Sequence, residues 1–207
     1  VDVEVLAADL SDRDDLDRVA ARVADPDRPV DVLVNNAGFG LNQSFLDTTP
    51  DELDGYLDVL VRAVMQLSHA AAGAMATRGR GDIVNVGSVA AFAPLNTYSA
   101  HKAWVTTFSQ ALAAELGPRG VRVMAFNPGF VRTEFHQRAG MGTSSIPDAM
   151  WLDADEVVAT AMRDLRRGRD LSVPDVRYKG LVALMRHLPV GMVGGVGRGV
   201  RARQRDT

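Results

Sequence analysis

Short unbroken runs of apolar residues recur along this chain, and each is separated from the next by a longer amphipathic stretch. The runs do not alternate with polar residues, so they predict strands that are buried on both faces. They lie at 3–8, 30–34, 83–86 and 121–126, and 171–173 forms a last short strand. Amphipathic helices between such strands cover both faces of a parallel sheet. The pattern therefore predicts an α/β fold with a doubly wound parallel sheet of the Rossmann type.

The stretches between the predicted strands carry the start and stop signals of helices. Ser11 is a candidate N-cap for the first helix. Capping boxes open two others, one over 50–76 and one that begins at Asp153. A helix over 98–117 ends at a Gly-Pro pair. These signals predict helices in every long connection.

Composition limits the classes of function. The 207 residues suit one domain, which we place at 1–190, and a Gly- and Arg-rich tail at 191–207 is expected to be poorly ordered. A net charge of −3 predicts no nucleic-acid partner. The chain has no cysteine, and its four histidines are scattered, so we expect no metal site. Neither a signal peptide nor a run of 18 apolar residues occurs, which predicts a cytoplasmic protein.

Ser88, Tyr98 and Lys102 form the candidate centre. Ser88 follows the strand at 83–86 and so points into the crevice at the carboxyl end of the sheet. Tyr98 and Lys102 are four residues apart, which places them on one face of a helix. A hydroxyl, a phenol and an ammonium that meet there could transfer a proton, with the cation expected to lower the pKa of the phenol.

Lysine usage supports this interpretation. The chain has 21 arginines but only two lysines, so a lysine at 102 suggests a site that needs a compact ammonium. The pair by itself also fits a tyrosine that packs its ring and a lysine that solvates a helix face. Ser99 and Lys102 also match the Ser-x-x-Lys pattern of penicillin-binding enzymes, but the companion motifs of those enzymes are absent from the sequence.

Several short motifs occur in a fixed order. They are Asp9-Leu10, Asn35-Asn36-Ala37-Gly38, Ser88, Tyr98-x-x-x-Lys102, Pro128-Gly129 and Thr133. This order resembles the short-chain dehydrogenase/reductase family from residue 1 to about residue 135, and more loosely to about 188. The resemblance implies an NAD(P)-dependent oxidoreductase that transfers hydride between the nicotinamide of NAD or NADP and a small carbonyl or alcohol substrate.

The resemblance also implies roles for the motif residues. Tyr98 would be the general acid/base, Lys102 would hold the ribose hydroxyls and lower the pKa of Tyr98, and Ser88 would orient the substrate oxygen. Asp9 and Leu10 would line the adenine pocket. The residues expected to bind the cofactor are Asp9, Leu10, Asn35, Ala37, Gly38, Tyr98, Lys102, Pro128, Gly129, Val131 and Thr133. Asn35 as an ordinary turn residue and Thr133 as a helix cap are equally compatible with the sequence.

Three features depart from the family pattern. The Gly-rich pyrophosphate loop and the first two strands do not occur in this sequence, so we expect weak binding of cofactor. The strand at 3–8 would lack its usual neighbour, and we expect marginal stability, association, or pairing of this strand beside 30–34. Leu60 replaces an asparagine that is catalytic in many members, yet we expect position 60 still to face the site. Ser88 and Tyr98 are ten residues apart, a short spacing for the family.

Two further expectations concern association. The helices over 50–76 and 98–117 carry more apolar surface than one sheet face needs, which predicts a homodimer or homotetramer built through them. A weakly basic and amphipathic stretch at 179–205 leaves membrane-surface association as a lesser alternative. The main alternative to an enzyme is a truncated, non-catalytic relative that acts only by association.

Overall fold

The main sheet of the computed structural model is parallel and has four strands. The structure describes residues 1–40, 43–135 and 146–187. The strands are β1 (Val32–Asn35), β2 (Gly81–Val86), β3 (Val121–Phe126) and β6 (Leu171–Ser172), in the order β1-β2-β3-β6. A separate parallel pair is formed by β4 (Phe130–Val131) and β5 (Trp151–Leu152). The predicted α/β class with a parallel sheet is confirmed.

Helices fill the connections between these strands. They are α1 (Arg13–Ala24), α2 (Pro50–Leu57), α3 (Val64–Arg78), α4 (Thr97–Leu116), α5 (Ala154–Arg166) and α6 (Val176–His187), with a π-helical turn (Asp58–Ala63) between α2 and α3. Thr49 and Glu52 form the predicted capping box at α2. The predicted cap at Ser11 is wrong, because Asp12 accepts the amide hydrogen of Asp15 while the Ser11 hydroxyl donates to Asp9.

Each face of the sheet has its own core. Successive strand residues point to opposite faces, so Ile83 lies in one core and Val84 in the other. The first core also holds residues of α1, α3 and α4, namely Leu16, Leu67, Ala71, Met75 and Leu116. The second holds residues of β5, α5 and α6, namely Leu152, Val157, Ala161, Leu165, Tyr178 and Val182. This is the two-sided coverage that the unbroken apolar strands predicted.

The long helical stretch Pro50–Arg78 is apolar enough to cross a membrane by length and composition alone. Its buried side chains, among them Leu67 and Met75, pack with Ile83 in the first core instead. At the other end of the chain, Tyr178 and Val182 of α6 are also buried in a core. Most of the stretch 179–205, and the whole tail 191–207, lie outside the described residues.

The predicted strand at 3–8 is wrong. These residues form no strand, and Val3 and Val5 are 81% and 84% exposed. The segment is held beside α1 by side chains, since Arg28 pairs with Glu4 and Arg18 donates to the carbonyl of Ala7. A strand needs a neighbour with which to exchange backbone hydrogen bonds, and none of the described strands pairs with these residues. Pairing beside 30–34 does not occur either, because β1 pairs only with β2 among the described strands.

Candidate active site

The carboxyl ends of β2 and β3 are joined by a row of three hydrogen bonds. Gly87 donates to the carbonyl of Phe126 at 2.7 Å, and Val89 donates to the carbonyl of Pro128 at 3.0 Å. Between them, the Ser88 amide donates to Oδ1 of Asn127 at 2.8 Å. A side chain thus takes the place of a backbone acceptor where the ladder ends. A Cβ on Gly87 would lie 1.8 Å from Asn127 Oδ1, so this approach requires glycine.

Ser88, Tyr98 and Lys102 converge beyond this row. Tyr98 and Lys102 both lie in the first turns of α4, and Lys102 Nζ is 5.7 Å from the centre of the Tyr98 ring. The Ser88 side chain hydrogen-bonds with Tyr98. Lys102 is buried and donates to the carbonyl of Val86, the last residue of β2, at 2.7 Å. The predicted hydroxyl, phenol and ammonium therefore share one site at the carboxyl end of the sheet.

Burial controls the protonation of this site. It raises the pKa of Tyr98 to about 12, and the hydrogen bond with Ser88 lowers that pKa by less. Burial also lowers the pKa of Lys102 to about 8. The pKa of Tyr98 is raised, whereas the sequence-based expectation was a lowered pKa. The reason is that the loss of solvation disfavours the phenolate more than its neighbours stabilise it. At neutral pH the phenol keeps its proton and most of the lysine is charged.

His101 and Tyr56 border the site on the side of α2. The two rings meet edge to face with their centres 5.0 Å apart, and Phe39 packs on Tyr56 from the other side at 5.2 Å. Burial, and secondarily the charge of Lys102, lower the pKa of His101, so its ring is neutral at pH 7. This cluster forms an apolar wall beside the turn that contains Gly38.

Asn35 braces the sheet from within. Its Nδ2 donates to Oδ1 of Asn85 at 2.8 Å and lies 3.1 Å from the Ser68 hydroxyl, and Asn85 in turn donates to Ser109. All four side chains are buried. The network joins β1, α3, β2 and α4, so it fixes the position of the turn that follows β1. Ala37 and Gly38 in that turn are exposed and accessible to a ligand.

The predicted residues after β3 have structural contacts of their own. A Cβ on Gly129 would lie 2.1 Å from the Tyr178 ring, so only glycine fits there. Val131 lies in β4 opposite Leu152. The Thr133 hydroxyl accepts the amide hydrogen of Phe135, which agrees with the local capping interpretation of Thr133. Their cofactor contacts stay predictions.

Asp9 and Leu10 lie apart from these groups. The Asp9 carboxylate accepts from the amide and the hydroxyl of Ser11, and Leu10 packs against the first core. Both residues therefore organise the start of α1 in this structure. Their role in an adenine pocket stays a prediction.

Asn127 and Thr106 belong to none of the motifs that predicted the site. Asn127 holds the Ser88 amide, and the Thr106 hydroxyl donates to the Lys102 carbonyl at 2.8 Å and lies 3.2 Å from Asn127 Oδ1. These two residues thus link Ser88 to the helix turn of Lys102. The available signals were a polar residue directly after a buried strand and a threonine four residues after Lys102.

Comparison with known proteins gives a consistent result. Residues 1–142 match the family model for short chain dehydrogenase. The chain is 39% identical over 135 residues to carbonyl reductase [NADPH] 2 of Sus scrofa, which covers 63% of this chain and 54% of that protein. It is equally identical, over the same length and shares, to L-xylulose reductase of Mesocricetus auratus. The chain spans about half the length of these curated relatives.

Solved structures show the same likeness in three dimensions. A short-chain dehydrogenase from Sphingobium yanoikuyae in complex with NADPH superposes with a TM-score of 0.79 at 32% identity, over 91% of this chain and 77% of that one. The bulky-bulky ketone specific alcohol dehydrogenase from Comamonas testosteroni gives 0.75 at 32% identity, over 91% and 75%. Sequence and fold thus point to one family.

Proposed function

The chain belongs to the short-chain dehydrogenase family, and from that premise we propose that it is an NAD(P)-dependent oxidoreductase. Its site would transfer hydride between a nicotinamide and a small carbonyl or alcohol substrate. The observation that carries the proposal is the convergence of Ser88, Tyr98 and Lys102 at the carboxyl end of the sheet. Relatives that are named as reductases, and a structural neighbour that contains NADPH, support it.

The donors at the site fit the ribose end of a nicotinamide cofactor. The Lys102 ammonium has three N–H groups, and one of them is engaged by the Val86 carbonyl. The remaining donors suit the vicinal hydroxyls of a ribose. When bound, the nicotinamide supplies or accepts the hydride. The exposed turn at Ala37 and Gly38 would lie beside the cofactor.

Tyr98 would act as the general acid. In a reduction, the Tyr98 hydroxyl would give its proton to the carbonyl oxygen as the carbonyl carbon receives the hydride, which would leave an alcohol and the Tyr98 phenolate. Ser88 would donate a hydrogen bond to the same oxygen and hold it beside the phenol. Because the pKa of Tyr98 is raised to about 12, the phenol stays protonated at neutral pH. The site therefore holds the acid form that protonation of a carbonyl oxygen requires.

The proposal is tested by turnover with an excess of NADH or NADPH and a panel of ketones, aldehydes and sugars. Excess cofactor is used because the sequence predicts weak binding. Tyr98→Phe should lower turnover by at least about 10²-fold, the usual scale of general acid–base catalysis. Near-normal turnover in this variant would refute the role of Tyr98. If no substrate reacts with either cofactor, the non-catalytic alternative is the better description.

A homodimer or homotetramer through the helices around α3 and α4 is also proposed. The outer faces of these helices form a groove of about 440 Å³ that is lined by Met65, Ala72, Phe108 and Leu112, among others. Trp104 stacks on Phe108 beside it, with ring centres 4.6 Å apart. Exposed apolar surface of this kind favours burial against a second copy.

The cytoplasmic location stays a prediction, which cell fractionation can test.

A further inference from the structure

The π-helical turn Asp58–Ala63 interrupts an otherwise regular helix next to the candidate site. An extra residue in one helical turn is uncommon, and such turns are frequent at functional sites. Leu60 lies in this turn, and its side chain is completely buried. It is not among the residues that form the two cores on the sheet faces. Its nearest surroundings are therefore those of the candidate site.

Leu60 lies under the turn that contains Gly38. A Cβ on Gly38 would be 2.9 Å from Leu60 Cδ2 and 3.9 Å from Lys102 Nζ. A contact of 2.9 Å is closer than carbon atoms tolerate, so any larger residue at 38 would require the Leu60 methyl group to shift. The leucine methyl group and the ammonium therefore both lie within 4 Å of the point that a Cβ of residue 38 would occupy. Leu60 occupies volume that water would otherwise share with Lys102.

The groups that face Lys102 are few. The carbonyl of Val86 accepts one N–H at 2.7 Å, the Tyr98 ring lies 5.7 Å from Nζ, and the neutral His101 is its neighbour in α4. Lys102 forms no ion pair with any residue in the part of the chain that the structure describes. Its side chain is only 6% exposed. The ammonium is therefore buried without a countercharge among these residues.

We propose that Leu60 is a positioning residue that excludes water from the Lys102 ammonium and so holds it on the Val86 carbonyl. The inference deepens the proposed function, since it concerns the residue that would hold the ribose. Leucine has neither a donor nor an acceptor, so position 60 offers the ammonium an apolar neighbour and no polar group.

This arrangement has a measurable consequence. A buried cation is disfavoured because it loses its hydration, which is the cause of the lowered pKa of Lys102. If Leu60 keeps water out, a smaller or polar side chain at 60 will admit water and favour the charged form. The pKa of Lys102 should then move up toward its ordinary value of 10.5. A leucine that only fills core volume would produce no such change.

The test is an NMR titration of the chain labelled with ¹³C at the lysine ε carbon. The chain has only two lysines, and the exposed Lys179 provides the second signal. Leu60→Asn and Leu60→Ala should raise the titration midpoint of Lys102 by at least about one pH unit, which is the scale of desolvation effects on buried lysines. Leu60→Met, which keeps an apolar group of similar volume, should leave the midpoint near that of the unaltered chain.

Leu67→Ala is the matched control. Leu67 lies on the same long helical stretch and is buried in the first core, so its truncation opens a cavity away from Lys102. It should lower stability without moving the Lys102 midpoint. Leu60→Val removes less volume than Leu60→Ala and should raise the midpoint by a smaller amount, so it carries the test if Leu60→Asn and Leu60→Ala unfold the chain. An unchanged Lys102 midpoint in folded Leu60→Asn or Leu60→Ala, or in Leu60→Val where those two unfold, would overturn the inference. Because the measurement reads the lysine directly, it is independent of whether the chain turns over any substrate.

Discussion

Lys102 illustrates how one residue type is selected at one position. The chain uses arginine for nearly all its cations, yet the cation at 102 is a lysine. The site around it is closed by Leu60, Gly38 and the end of β2, with Nζ 2.7 Å from the Val86 carbonyl. A planar guanidinium is broader than an ammonium and cannot present the same compact donor at this point. The choice of lysine is therefore steric as well as electrostatic.

Replacement of this lysine gives a prediction at the residue scale. Lys102→Arg should lower turnover about 10- to 100-fold, because losing a hydrogen bond to a charged group costs about 1.5–3 kcal/mol. Lys179→Arg is the matched control, since Lys179 is exposed on α6 and should tolerate the change. Steady-state rates of both variants, each normalised to folded protein, provide the measurement. Equal rates in the two variants would show that the ammonium at 102 is dispensable.

At the scale of elements, Tyr178 of α6 fastens the small β4–β5 pair to the rest of the fold. Its hydroxyl accepts the amide hydrogen of Phe130 at 3.1 Å and donates to the carbonyl of Met150 at 2.8 Å. The ring itself packs on Gly129. Gly129 is two residues after Asn127, whose side chain accepts the amide hydrogen of Ser88. One side chain thus sets the distance between α6 and the segment that follows β3.

Removal of this hydroxyl should destabilise the protein. Tyr178→Phe removes the hydrogen bonds from the Phe130 amide and to the Met150 carbonyl, each of which contributes about 0.5–1.5 kcal/mol. For a chain of this size, each 1 kcal/mol lowers the melting temperature by roughly 2–4 °C. Tyr98→Phe is the comparison, because the Tyr98 hydroxyl bonds the Ser88 side chain rather than backbone groups. Thermal melts followed by circular dichroism would contradict the assignment if Tyr178→Phe melted at the same temperature as the unaltered chain.

For the whole molecule, the buried titratable groups link stability to pH. Between pH about 8 and 10.5, Lys102 is deprotonated in the folded state but protonated in the unfolded state, so the free energy of unfolding rises with pH. Between pH 10 and about 12, Tyr98 is protonated in the folded state but ionised in the unfolded state, so stability falls. The raised pKa of Tyr178 acts in the same direction as that of Tyr98.

We therefore expect a stability maximum near pH 10. Urea unfolding at several pH values between about 7 and 12 measures it, with a rise of about 1–3 kcal/mol on the alkaline side of neutrality. Lys102→Met should abolish the rise and keep the decline above pH 10. A free energy of unfolding that does not change between pH 8 and 10 would mean that Lys102 is hydrated in solution.

Association is the second property at this scale. Phe108→Asp places a carboxylate in the groove between α3 and α4 and should convert the proposed oligomer to a monomer, because an unpaired charge is costly to bury. Val158→Asp on α5 is the control, since Val158 is 54% exposed on the opposite face of the sheet. Light scattering coupled to gel filtration gives the mass of each. A monomeric mass for the unaltered chain at all concentrations would exclude this interface.

The sequence by itself determined the strands of the main sheet and the helices between them. The strand over 121–126 and the helix from Thr97 to Leu116 follow from apolar periodicity, caps and a Gly-Pro stop, which are short-range signals. The grouping of Ser88, Tyr98 and Lys102 also followed, since parallel strands end at one edge and a spacing of four shares a helix face. Local patterns are sufficient when the neighbours that matter are close in the chain.

Only the tertiary structure decided the features that depend on distant residues. The segment 3–8 has a strand's composition but is not a strand, because a strand exists only where a partner accepts its hydrogen bonds. The pKa of Tyr98 moves up rather than down, because burial is contributed by the whole fold. Leu60, in the π-helical turn, packs against Gly38 beside Lys102, and these three residues are far apart in the chain. Close approach and solvation are set by residues far apart in sequence, so no local pattern predicts them.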